Sequence, residues 1–134
     1  MITPAEMIGF LATSFQFNAV SMSVGTLAAN LITPVGSSPF VILSNTGAIP
    51  GTQTTRTAAL MITDGNLLVG QQWLLIVVNT VTTNAITLAG GTGVTISGTT
   101  TIAGFTGRLY TAVVNTATTM TFTGVACSWT VAGA

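Results

Sequence analysis

Residues 86–99 read ITLAGGTGVTISGT. Ile86 and Leu88 alternate with Thr87, and Val94 and Ile96 alternate with Thr95 and Ser97. Successive side chains of an extended chain point to opposite faces, so each half carries one dry face and one hydroxyl face. A helix would repeat its apolar positions every three or four residues instead. Gly90, Gly91 and Gly93 between the halves mark a tight turn. The stretch therefore predicts two short strands joined by a glycine turn. It lacks the Lys-Ser/Thr ending of a phosphate loop.

The same period extends outward. Leu109, Thr111 and Val113 share one face, with Arg108, Tyr110 and Ala112 on the other, and Met120 and Phe122 alternate with Thr119, Thr121 and Thr123. Upstream, Phe40-Val41-Ile42-Leu43 predicts a strand ended by Asn45-Thr46-Gly47. Trp73 to Val78 is apolar at every position, so it should be buried on both faces or lie at a subunit contact. Asn45, Asn79 and Asn115 fall at strand ends, where turn roles are the default. Thr55 to Thr63, before Gly65, predicts one or two helical turns. Threonine fills 27 of 134 positions and glycine 15. Threonine stiffens extended backbone and glycine supplies turns. The expected fold is mainly β: a small antiparallel β-sandwich or barrel-like body over residues 36–134, with no evident internal repeat.

Residues 1–35 differ in texture. Thr3-Pro4-Ala5-Glu6 has the pattern of a helix start, with Thr3 as N-cap and Glu6 reaching back to its amide. A short helix over 4–11 is expected, then an apolar segment without sustained period. Thr33-Pro34 and Ser37-Ser38-Pro39 mark a break. We expect 1–35 to form an extended N-terminal arm docked on partner subunits.

Charge decides the function class. Glu6, Arg56, Asp64 and Arg108 are the only charged side chains, histidine is absent, and net charge is zero. Acid–base and nucleophilic catalysis need titratable groups within reach of one another, so an enzyme is not expected. Metal and cofactor sites lack their usual ligand sets. Two arginines make no basic patch for nucleic acid, nor a polybasic segment for a membrane surface. Mean hydropathy is +0.77, yet no run approaches the roughly 20 apolar residues of a spanning helix. Cys127, the single cysteine, has no disulfide partner within the chain and reads as a small core residue. Arg56 and Asp64 are candidates for a local ion pair; the rival reading sends Arg56 to another subunit. Trp73 reads as core, and Trp129 and Tyr110 stay open as sugar-stacking candidates. Without lysine, and with no proline after Pro50, the later strands lack the usual edge protection, which predicts a homo-oligomer, dimer or trimer.

One stretch, about Ser38 to Thr123, resembles a body module of tailed-bacteriophage virion proteins, especially capsid decoration (cement) proteins and head fibres. The matching residues are Gln53-Thr54-Thr55-Arg56-Thr57-Ala58, Asn66-Leu67, Val69-Gly70, Trp73, Asn79-Thr80, Ile86 through Thr99, and Thr101-Ile102. The resemblance implies a virion structural protein on the outer capsid surface, a homo-oligomer in contact with the major capsid protein. In that reading Phe10, Phe15, Phe17 and Met22 of the arm are the expected shell anchors. The alternative is a tail or head-fibre module binding a host receptor or glycan. A third reading is a non-viral matrix protein that self-assembles through threonine-rich sheets.

Overall fold

The computed structural model describes residues 15–27, 31–35, 38–80 and 83–130. Among these residues, ten strands and one helix follow in chain order. They are β1 (Phe15–Val20), β2 (Gly25–Thr26), β3 (Phe40–Asn45), β4 (Gly51–Thr54), α1 (Ala58–Asp64), β5 (Gln72–Asn79), β6 (Ile86–Ala89), β7 (Val94–Ser97), β8 (Thr101–Ile102), β9 (Thr106–Thr116) and β10 (Thr119–Thr130). The larger sheet runs β1-β3-β5-β9-β10-β7 and the smaller β2-β4-β6-β8.

The first six strands alternate between the two sheets. β1, β3 and β5 stack in parallel in one, and β2, β4 and β6 in parallel in the other. The chain thus winds through three turns of a coil, β1–β2, β3–β4 and β5–β6, in the manner of a β-helix. Phe40 lies beside Phe15, 25 positions earlier, and beside Leu74, 34 positions later. The longer turn is the one that carries α1. After β6 the chain turns through Gly90–Gly93 to β7, and β8 and β9 pair antiparallel with β6 and β5. β10 then pairs antiparallel with β9 and parallel with β7.

The mainly β character is what the residues predicted. The expectation of an antiparallel body is corrected: five of the eight strand pairings among the described residues are parallel. The reason is connectivity. A chain that crosses to the other sheet after each strand returns to the first sheet running the same way.

The arm is corrected in the same region. All six residues of β1 pair with β3, and Met22, Leu27 and Ile32 are buried with the core. Thr33 and Pro34 are themselves buried. The described part of the 1–35 segment is the first turn of the coil. The helix expected over 4–11 lies outside the described residues.

One hydrophobic cluster draws on both sheets, with Val41, Leu43, Leu75 and Val77 from the larger and Ile86, Leu88 and Ile102 from the smaller. Trp73 is buried, its ring edge-on to Phe122 at 5.9 Å, and its Nε1–H donates to the Ile32 carbonyl at 3.0 Å. That bond ties the first turn to the third. α1 packs Ala58, Met61 and Ile62 inward at helical spacing. Thr57 caps it by accepting from the Leu60 N–H, and Gly65 ends it.

Candidate interaction surface

Strand alternation gives the larger sheet two unlike faces. Inward point Val41, Leu43, Trp73, Leu75, Val77, Tyr110, Ala112, Val114, Met120 and Phe122, all buried. Outward, register aligns Phe17 with Ile42, Ile42 with Ile76, and Ile76 with Leu109. A row of four large apolar side chains therefore crosses β1, β3, β5 and β9 on the outer face. Phe40 and Leu74 form a second row ending at Thr111. Toward β10 and β7 the face passes to Thr121, Thr123, Thr95 and Ser97.

Phe17 is 65% exposed, and Ile42, Ile76 and Leu109 are half-buried. Trp73–Val78 is therefore buried on one face only; Leu74, Ile76 and Val78 sit on the outer one. None of the described charged residues lies on this face. Arg108 has the inward parity of β9 and donates through Nε to the Thr101 carbonyl at 3.1 Å. At one end of the face an open cleft of about 260 Å³ is lined by Pro39, Phe40, Gln72, Leu74 and Thr111. No titratable side chain lines it, so it can accept an apolar group but offers no acid–base chemistry.

Among the described residues no three His, Cys, Asp or Glu side chains gather as metal ligands. Arg56 Nη1 meets Asp64 Oδ2 at 2.8 Å, bridging the entry and the last turn of α1. Both ends are exposed, which makes this a surface clip. The Gly90–Gly93 turn is tied within the chain: Gly91 N–H donates to Thr55 Oγ1, Val94 N–H closes the turn on the Gly91 carbonyl, and the Thr92 and Gly93 carbonyls accept from Ala58 and Met120 N–H. Tyr110 is fully buried, with its hydroxyl donating to the Thr99 carbonyl at 2.8 Å. Burial pushes its phenol above the usual range, and the nearby Arg108 charge opposes this. It presents no ring to a sugar. The side chains of Trp129 and Cys127 lie outside the described residues.

Of the four expected anchors, Phe10 lies outside the described residues, as does the side chain of Phe15. Phe17 is on the outer face. Met22 is corrected: it is 4% exposed and belongs to the core, so it meets no partner surface in this fold.

Sequence reasoning missed the polar corner where the coil's strands leave the larger sheet. Asn45 and Asn79 are adjacent in register and fully buried. Asn45 Nδ2 donates to Asn79 Oδ1 at 2.9 Å and to the Gly47 carbonyl at 2.8 Å. Its Oδ1 accepts from the N–H groups of Met22 and Gly47. Asn79 Nδ2 donates to the Asn84 carbonyl at 2.8 Å. A Cβ on Gly47 would stand 2.6 Å from the Met22 carbonyl oxygen, so only glycine fits there. These are ladder residues stacked from one turn to the next, and Asn45 keeps its turn role as well, its Oδ1 accepting from the N–H two residues on at the end of β3. The signal was present as an alignable pair, VILSNT at 41–46 and LIVVNT at 75–80.

Comparison with family models, with curated proteins and with solved structures finds no match to this chain.

Proposed function

We propose that this protein is a virion structural protein, a capsid cement or decoration protein that binds the outside of the major capsid protein shell and stabilises contacts between capsomers. The observation that carries the reading is the uncharged apolar row Phe17–Ile42–Ile76–Leu109 on the outer face of the larger sheet. A chain with this face partly exposed and so few charges gains by burying the rest of it against a larger assembly. The resemblance of residues 38–123 supplies the identity of that assembly.

The size is adequate. Six strands about 4.8 Å apart, each about six residues of 3.3 Å rise, present a face of roughly 30 by 20 Å. A standard contact removes about 800 Å² from each partner, a little over half of it apolar. At about 25 cal/mol per Å² that is on the order of 20 kcal/mol gross, against roughly 4–15 kcal/mol for lost freedom on association. The surplus, repeated over many copies, resists outward pressure on a shell.

The proposed partners are the major capsid protein and copies of this chain. Neither nucleic acid nor a membrane is included. The glycan-binding alternative loses Tyr110, which the core encloses. The test is co-sedimentation with empty phage heads. The native protein should pellet with heads, and Ile76→Glu, which places a charge mid-row without touching the core, should reduce occupancy at least tenfold. Full occupancy by a folded Ile76→Glu protein, or failure of the native protein to bind heads, refutes this reading.

A further inference from the structure

The coil is open at one end. Among the described residues β1 has a neighbour only in β3, and β2 only in β4. The Val20 carbonyl accepts from Thr46 N–H, which turns the backbone groups of Val20 toward β3. By strand alternation those of Phe17 and Ala19 face away, toward the open edge. On β2 the Leu27 N–H donates to the Thr54 carbonyl, so the groups of Thr26 face away. Among the described residues, two unpaired edges, one per sheet, therefore sit at the same end. Exposed apolar residues gather there too: Phe17 at 65%, Val24 just before β2 at 71%, and Val35, held to the Gln16 side chain, at 68%.

Edges of this kind are normally blunted by lysine, proline, inward charge or brevity. β1 and β2 carry none of the first three; β2 is brief, with two residues, but β1 has six. At the far side of the sheets brevity applies to both edges. The last strands there are β7, with four residues, and β8, with two.

We infer that this open end is a self-association surface, on which β1 of a second copy adds antiparallel to β1 across a two-fold axis. Three observations favour a second copy as occupant. The end offers two edges at a fixed spacing, and a copy of the same end presents the same two. Its described residues bear no charge, so like meets like without repulsion. The far edges are too short to match β1, so copies close as a pair instead of growing head to tail.

The register follows from which groups are free. Phe17 of one copy stands opposite Ala19 of the other, exchanging N–H and carbonyl bonds, with Asn18 on the axis. The exposed Phe17 ring then lies over the small Ala19 side chain of the second copy. The same axis turns the two β2 edges toward each other. The inference deepens the self-association part of the proposed function and does not depend on shell binding.

Sedimentation equilibrium of the full chain tests it. The native protein should be a dimer. Ala19→Pro deletes two of the interfacial N–H donors per dimer at an edge position where proline is tolerated in the monomer. Dimer dissociation should rise about 30-fold, two lost hydrogen bonds at about fivefold each. Phe17→Lys, a surface change, should act in the same direction and serves if the proline variant fails to fold. A native monomer overturns the inference, including one that dimerises only after residues 2–14 are removed. So does a trimer, or a dimer unmoved in a folded Phe17→Lys or Ala19→Pro protein. Head binding by Ala19→Pro separates the two readings, since the Ile76 row stays intact in that variant.

Discussion

Asn45 shows how much one residue holds. Its amide satisfies the N–H groups of Met22 and Gly47, the Gly47 carbonyl and Asn79 Oδ1, all in the dry interior. Removing one partner of a buried hydrogen bond costs about 1–3 kcal/mol per group left unpaired. Asn45→Ala should therefore lower stability by about 3 kcal/mol or more in urea unfolding. A loss under about 1 kcal/mol would show that the ladder is dispensable. Tyr110, the single tyrosine, gives a pH signature. Its raised phenol pKa means the folded state holds the proton more tightly than the unfolded chain. That stabilisation is complete below pH of about 10 and is lost as pH climbs through the folded value. Stability should fall above about pH 10, while Tyr110→Phe should remove the drop; an identical pH profile in both proteins would exclude Tyr110 as its source. The phenylalanine variant also leaves the Thr99 carbonyl without its hydroxyl donor.

At the scale of elements, local signals were legible and partners were not. Alternation over 86–89, 94–97, 109–113 and 119–123 marked real strands, because burial of one face imposes period two wherever a sheet forms. Residues 55–65 announced α1, whose cap at Thr57 and stop at Gly65 depend only on near neighbours. The helix also allows two modest changes to be ranked. Thr57→Ala removes the cap and should cost about 1 kcal/mol. Asp64→Asn removes an exposed ion pair and should cost less, about 0.5 kcal/mol, because solvent screens it. Thermal melts of the two variants give the order, and a larger loss in Asp64→Asn would mean that the pair with Arg56 matters beyond the surface. β1 was the element the sequence reading missed, although Phe15-Gln16-Phe17-Asn18-Ala19 alternates apolar and polar residues. The phase is inverted: Gln16 and Asn18 take the inward positions, where they donate to the Thr33 and Leu31 carbonyls, and Phe17 lies on the outer face. The alternation is short and its neighbours show no period, so the segment reads as a loose arm.

Across the whole molecule, three turns of parallel coil set where everything else lies. Winding places Phe17, Ile42, Ile76 and Leu109, spread over 93 sequence positions, in one row on one face. It also leaves both first-turn edges at a single end. The two surfaces are separable by experiment: Ile76→Glu addresses attachment to a shell, and Ala19→Pro addresses pairing between copies. Coil contacts join residues 25 to 34 positions apart, and loop closure must precede them, so folding should be slow, on the order of milliseconds to seconds. The amino-acid sequence by itself determined the β character, the helix with its stop at Gly65, and the scarcity of ionisable groups. These are properties of composition and near neighbours. Only the tertiary structure decided that the strands run parallel in a coil, that Met22 is core, and that Asn45 meets Asn79. Such facts depend on which distant segments stack, and a strand's own pattern is the same whichever neighbour it takes.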